Sequence, residues 1–158
     1  MITQATLREH AEYKDGNLIA KTNSKARKIG DTISSVTGNG YRVGNILGKS
    51  YRIHRLVYLY HFGFIPEQVD HINGNRSDNR IENLRAATSS QNSQNRKATG
   101  KSGIKGVHWH KQSKKWIASI CIKRKNIHLG SFCLIEDAAF AANSARVSIH
   151  GEFYRSQS

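Results

Sequence analysis

Apolar and polar positions alternate with period two over residues 107–129 and recur at helical spacing in two other stretches. Trp116, Ala118, Ile120 and Ile122 alternate with Ile117, Ser119, Cys121 and Lys123, the pattern of a half-buried strand. Val107 and Trp109 repeat it before that run, Ile127 and Leu129 after it. Residues 112–115 and 123–126 between these runs are turn-like and basic. After Gly130 a helix is expected from about Ile135, with Ile135, Ala138, Ala142, Ala145 and Ile149 on one face. An alanine-rich stripe lets a helix approach a sheet closely. Three antiparallel strands covered on one side by a helix are therefore predicted.

The first half reads differently. Asp15-Gly16 and Gly38-Asn39-Gly40 are turn signals, and each stands beside a short apolar run, Asn17-Leu-Ile-Ala and Tyr41-Arg-Val-Gly-Asn-Ile-Leu47. Gly48-Lys49 closes the second run. Residues 1–53 thus read as β-rich. Leu56, Leu59 and Tyr60 then recur at helical spacing until Gly63 and Pro66, so a short amphipathic helix is expected over about 54–62. Val69-Asp70-His71 ends a short strand, and an Asn/Gly/Asp-rich loop runs to Glu82. Asn83-Leu-Arg-Ala-Ala87 begins the next element. Thr88 with Gln91 three residues on is a capping box, so a helix should start there and carry Asn92 in its first turn.

Composition divides the chain. It has 158 residues, only 37% of them hydrophobic, with 13 Gly and one Pro. Small loop-rich modules suit these values better than one deep core. Residues 96–103 are small, polar and basic, as in a linker. The expected partition is a first module over 1–96, with its core at about 67–96, a linker at 97–102 and a second module at 103–158.

The net charge is +14, which favours phosphate polymers or an anionic membrane as partner. The most apolar stretch, residues 56–65, is about half a bilayer span and contains His61 and Gly63. No membrane association is expected. No secretory signal is visible, and two cysteines twelve residues apart fit a reducing compartment with both thiols free, which is a cytoplasmic assignment. Nucleic acid becomes the leading partner class, which the motifs below narrow to double-stranded DNA, with no obligatory protein partner evident.

Asp70, His71 and Asn92 suit phosphodiester hydrolysis. A carboxylate and an amide oxygen are hard ligands for Mg²⁺ or Mn²⁺, which keep several waters and bind substrate phosphate. A neutral histidine nearby can take the proton from the attacking water. An EF-hand loop starting at Asp70 fails because Ile72 occupies a ligand position, and a zinc ribbon fails because no cysteines flank the motif.

Residues 50–96 resemble the HNH endonucleases, in the subgroup found in phage homing endonucleases. The matching pieces are His54-Arg55-Leu56-Val57, Val69-Asp70-His71-Ile72-Asn73-Gly74, Asp78-Asn79-Arg80-Ile81-Glu82-Asn83-Leu84 and Asn92. The resemblance implies a ββα-metal fold with His71 as general base. It implies that Asp70 and Asn92 hold one divalent ion, and that Asn83 ties the loop and orients His71. Asn95, three residues beyond Asn92, is a rival for its place.

In the second module, strand parity puts Lys105, His108, His110, Ser119, Cys121, Lys123, Asn126 and His128 on the face away from the helix. A sheet with basic and amide side chains can enter the major groove. Residues 103–155 resemble the AP2 DNA-binding domain through Gly103-Ile-Lys-Gly-Val-His-Trp109, Lys115-Trp-Ile-Ala-Ser-Ile120, Ile127-His-Leu-Gly-Ser-Phe132, Glu136-Asp-Ala-Ala139 and His150-Gly-Glu-Phe153. That family reads DNA mostly through arginine and tryptophan. Histidines and Cys121 stand at such positions here, so phosphate contacts and histidine charge carry more of the binding. Three histidines and a cysteine on one face also raise zinc, against which their scattered spacing argues.

The sequence therefore predicts an α+β protein: an N-terminal β-rich region with an HNH ββα-metal motif, then an AP2-like three-stranded antiparallel sheet plus helix. Its expected function is that of a homing-type DNA endonuclease, nicking or cutting both strands. Expected DNA contacts are Arg55, Lys105, His108, His110, Ser119, Lys123, Arg124, Asn126 and His128. The alternative is a sequence-specific DNA-binding regulator without catalysis, which has no need of the Asp70, His71 and Asn92 set.

Overall fold

Thr3 caps a helix that the apolar pattern does not announce, α1 (Gln4–His10), its Oγ1 accepting from the Thr6 N–H at 3.2 Å. It stands beside five short strands in residues 1–53, a stretch expected to be β-rich. The helix buries one side chain, Leu7, and a single apolar anchor leaves no periodicity to read. The computed structural model of the chain describes residues 2–95, 98, 100–123 and 125–151. Arg124, parts of the expected linker and the last residues of the AP2 resemblance lie outside them.

Strands β1 (Ala11–Lys14) and β2 (Asn17–Ala20) pair antiparallel across Asp15 and Gly16. Both turn residues have positive φ, 45° and 79°, as a two-residue turn matching the strand twist requires. Strands β3 (Ser35–Val36), β4 (Arg42–Ile46) and β5 (Lys49–Arg52) form an antiparallel sheet in the order β3-β4-β5. Helix α2 (Ile53–Phe62) follows without a break and ends at Gly63 in the left-handed conformation, whose N–H returns to Leu59 O at 2.9 Å.

Helix α2 is the spine of this unit. The sequence suggests one apolar stripe, but Ile53, His54, Leu56, Val57, Tyr58 and Leu59 are all buried. Ile53, Leu56, Val57 and Leu59 pack with Leu7, Leu18, Ile46, Val69 and Leu84 in one core. Each fully buried Leu or Ile contributes about 1.5–3 kcal/mol relative to exposure. Neighbours on several sides, contributed by the α1 helix and the small sheets, explain why this helix has so little polar face.

Strands β6 (Gln68–His71) and β7 (Leu84–Ala87) form the next antiparallel hairpin, with Asp70 opposite Arg85 and His71 opposite Leu84. A 3-10 turn, Ile81–Asn83, leads into β7. Helix α3 (Ser89–Gln94) starts as the capping box requires: Thr88 N–H donates to Gln91 Oε1 at 2.8 Å, and Gln91 N–H to Thr88 Oγ1 at 3.3 Å. The chain divides into two compact units, Met1–Asn92 and Ser93–Ser158.

In the second unit, β8 (Val107–His110), β9 (Lys115–Ile122) and β10 (Lys125–Phe132) form an antiparallel sheet with β9 in the centre, and α4 (Ile135–His150) packs on it. Val107, Ala118, Ala138 and Ala142 make its small core. Two parity expectations need correcting. Trp109 and Ile127 sit on the helix side of the sheet by register but are 45% exposed, because the core beneath α4 does not reach them. A bulge between His128 and Gly130 shifts β10 by one residue, so Phe132 rather than a further alternate residue opposes Trp116. Likewise Ile149 is exposed, and the last turns of α4 bury Arg146 in its place. Among the described residues no helix is long and apolar enough to cross a membrane, and both cysteines are free and exposed.

Candidate active site

Strand β6 carries Asp70 and His71 into the interior at its end, where they are 5% and 4% exposed. Burial of two titratable neighbours demands partners, and each has one. Asp70 Oδ2 accepts from Arg85 Nε at 3.0 Å and pairs with Arg85 Nη2 at 2.9 Å, a direct consequence of the strand register. His71 Nε2 lies 3.0 Å from Asn79 Oδ1. With Asn79 as acceptor, the imidazole carries its proton on Nε2 and its lone pair on Nδ1.

Desolvation is the main influence on His71 and lowers its pKa; the Asn79 hydrogen bond and the charges of Asp70 and Asp78 oppose it, and Arg76 adds to it. The ring is therefore biased to the neutral form, the form a general base needs. Behind it stands His54, 3% exposed, with ring centroids 5.0 Å apart in an edge-on arrangement. Burial first, then the charges of His71, Arg52 and Arg55, push the His54 pKa down to about 3. Among the described residues its Nδ1 has no hydrogen-bond partner.

The loop between the strands is held by its own side chains. Asn83 Oδ1 accepts from Asn73 N–H at 2.9 Å, and Asn83 Nδ2 donates to Asp78 O at 2.8 Å. Asp78 takes a two-point contact from Arg80 and a hydrogen bond from Asn73, which hold its carboxyl well below the usual range. Asn83 thus ties the loop, but the contact expected of it on His71 is made by Asn79 instead. The reason is length: Asn83 is occupied across the loop neck, whereas Asn79, 2% exposed, points inward from the loop's far side. No periodicity or spacing marks Asn79, since a loop asparagine is ordinarily exposed.

Neighbouring elements support this loop. Tyr13 Oη accepts from Ile81 N–H at 3.1 Å. A Cβ on Gly16 would lie 2.7 Å from Arg80 N and 2.9 Å from the carbonyl carbon of Asn79. Ser77 Oγ donates to Gly40 O at 2.9 Å, and Arg76 Nη1 to Asn39 O at 3.0 Å, fastening the β3–β4 turn to the loop.

Asn92 is the fourth residue of α3, half-buried, with its N–H on Thr88 O at 3.0 Å. Ser89 Oγ donates to Glu67 Oε1 at 2.8 Å, tying the start of α3 to the residue before β6. Asn95 lies beyond α3 and is 4% exposed. No cluster of three or more His, Cys, Asp or Glu occurs among the described residues, which leaves a carboxylate with an amide oxygen as the donor set. One carboxylate, an amide and substrate phosphate suit a Mg²⁺-like ion, which retains water and does not need an all-protein cage. Asp70 and Asn92 are the carboxylate and amide the sequence offers for it, and Asp70 Oδ2 is engaged by Arg85 here.

The expected DNA contacts fall into three groups. His108, His110, Ser119, Asn126 and His128 share one sheet face by register, all exposed except the half-buried Ser119, and Lys123 is exposed at the β9–β10 turn. His110 Nδ1 lies 2.8 Å from Ser113 Oγ. Two other residues are engaged by the protein itself. Arg55 donates to Glu67 O and Pro66 O at 3.2 and 3.3 Å, bracing the approach to β6. Lys105 Nζ donates to Ser93 O at 2.7 Å. Arg124 is outside the described residues.

A family model described as an HNH endonuclease matches residues 51–94. The chain is 33% identical to Protein 3.8 of Escherichia phage T7 over 111 residues, 68% of this chain and 91% of that protein. No solved structure matches it.

Proposed function

The chain belongs to the family of Protein 3.8 of Escherichia phage T7 and carries an HNH endonuclease domain, and on that premise we propose that it is a metal-dependent DNA endonuclease of the homing type. The observation that carries the reading is the pair at the end of β6. Asp70 and His71 are adjacent and buried, and His71 is biased to the neutral form while Asn79 fixes its tautomer. His71 Nδ1 takes the proton of the attacking water. Asn79 holds the ring as that charge develops, and Asp70 supplies the nearby negative charge that stabilises the imidazolium. Asn83 keeps the loop closed so that Asn79 stays in place. Asp70 and Asn92 would hold a divalent ion, which would neutralise charge on the scissile phosphate and its leaving oxygen. His54 and Tyr41 pack beside the His71 ring and hold it in place.

The second unit serves as an AP2-like DNA-binding domain in this reading, with the histidine-bearing sheet face toward DNA. Its charge supports the assignment: residues 101–158 hold 10 basic and 3 acidic side chains, net +7, half of the total. A nicking assay on supercoiled plasmid in Mg²⁺ or Mn²⁺ tests the whole reading. Wild type should cleave, and His71→Ala and Asn92→Ala should each lose at least about 10²-fold, the lower range for a general base. Equal cleavage by all three proteins would overturn it. A sequence-specific footprint with no cleavage in either metal would favour the regulator instead.

A further inference from the structure

Two arginines outside the machinery above converge on one aromatic ring beside His71. Tyr41, half-buried at the entry to β4, has its ring centroid 6.1 Å from that of His71 and 5.3 Å from that of His54. The guanidinium carbon of Arg52, the last residue of β5, lies 4.7 Å from the Tyr41 centroid, and that of Arg76, in the β6–β7 loop, lies 4.9 Å from it. Both residues are exposed, and among the described residues neither is paired with a carboxylate. Arg80 and Arg85, by contrast, are each matched to an aspartate.

This arrangement is costly as pure scaffolding. Two like charges gathered on one ring repel, and stacking offers only about 0.5–1 kcal/mol each at an exposed site. Stacking orients a guanidinium: Arg76 commits Nη1 to Asn39 O, and its remaining N–H groups with those of Arg52 are the donors left for a phosphate. The space in front of the ring is an open cleft of about 380 Å³ lined by Thr37, Gly38, Asn39, Tyr41, Val43 and Arg52. Its floor is pinned, since Arg76 Nη1 and Ser77 Oγ hold the β3–β4 turn through Asn39 O and Gly40 O. The cleft is thus rigid, positive and one ring away from the candidate base.

We infer that Arg52 and Arg76, stacked on Tyr41, form a phosphate clamp that holds the DNA strand at the point where His71 acts. Phosphates on one strand follow one another at about 3.4 Å of axial rise, so a clamp one ring from His71 grips a phosphate within about three nucleotides of the scissile one. The clamp rests on the endonuclease reading for its purpose, but its chemistry is phosphate binding and is measured without turnover. The β3–β4 turn then acts as the wall that fixes the strand's path.

The test is binding of the full chain to a short DNA duplex in EDTA, titrated with salt. Each phosphate contact contributes about 0.9 to the log–log salt slope. Arg52→Ala/Arg76→Ala should lower the slope by about 2 and weaken binding in a chain that stays folded by circular dichroism. Arg52→Lys/Arg76→Lys, which keeps the charge, should restore most of the slope, and it decides the matter should the alanine pair unfold. Lys25→Ala/Lys28→Ala, of equal charge on the 21–34 loop, is the control and should leave the slope within about 0.5. A wild-type slope in the alanine pair, a lowered slope in a folded lysine pair, or an equal fall in the control would overturn the clamp. Absence of cleavage in every metal would remove the catalytic reading and leave this outcome standing.

Discussion

His71 Nε2 and Asn79 Oδ1 lie 3.0 Å apart, both side chains buried, and this contact links the catalytic candidate to the most deeply placed residue of its loop. Removing the amide leaves a buried ring nitrogen without its partner and frees the tautomer. Asn79→Ala is expected to cost about 1–3 kcal/mol of stability and to lower cleavage about 10–10²-fold, the range seen when an orienting partner is lost. Asn79→Asp should shift the pH–rate profile upward, since a carboxylate favours the imidazolium. Chemical denaturation and single-turnover cleavage against pH separate the two effects.

His54 makes the fold sensitive to acid. Its folded pKa is depressed from 6.5 to about 3, first by burial, so below pH 6.5 the unfolded chain binds a proton that the folded chain refuses. Its contribution is fully present above pH 6.5 and is lost as the pH falls toward 3, by up to about 1.4 kcal/mol per pH unit. Urea midpoints measured from pH 8 to 4 should fall over this window. The fall should be shallower in His54→Leu.

Arg85 compensates the buried Asp70 carboxylate. Arg85→Ala leaves that charge uncompensated and is expected to destabilise by roughly 3–5 kcal/mol. Pairing it with Asp70→Asn should recover a good part of the loss, because the charge is gone. A double-mutant cycle of unfolding free energies reads the coupling, and additive losses would count against the pair.

Gly16 combines two constraints. Its φ of 79° disfavours any L side chain, and a Cβ would press on the Asn79–Arg80 backbone at 2.7–2.9 Å. Gly16→Ala should cost about 2–4 kcal/mol, from the left-handed backbone and overpacking together. It should also lower cleavage, since the displaced peptide carries the residue that holds His71. A variant as stable and active as wild type would show that the hairpin and the loop move independently.

Divalent metal is expected to be needed for cleavage and not for folding. Asp70 has Arg85 as partner without any ion, and the core of the first unit is apolar. EDTA should abolish nicking while leaving the melting temperature within about 2 °C, unlike a structural zinc site, whose metal is part of the folding free energy.

The elements nearest the chemistry were legible because their signals are local. Thr88 with Gln91 marks a helix start, Gly63 a helix end, and Asp15-Gly16 a two-residue turn, each through bonds or dihedrals within a few positions. Helix α1 was not legible, because one buried leucine makes no period. The bulge in β10 was not legible either, because it inserts a residue that alternation cannot anticipate.

By itself the sequence determined the residue types of the candidate set, their order, and the strand, loop and helix that carry them. Hydrogen-bonding patterns and capping act over short separations, so they are written in neighbouring letters. Tertiary structure decided which polar residues became partners. Asn79 rather than Asn83 meets His71, Arg55 turns to backbone carbonyls, and Tyr41 draws Arg52 and Arg76 together from elements 24 positions apart in the chain. Those choices depend on which side chain is buried where separate elements meet, and burial is a property of the packed whole.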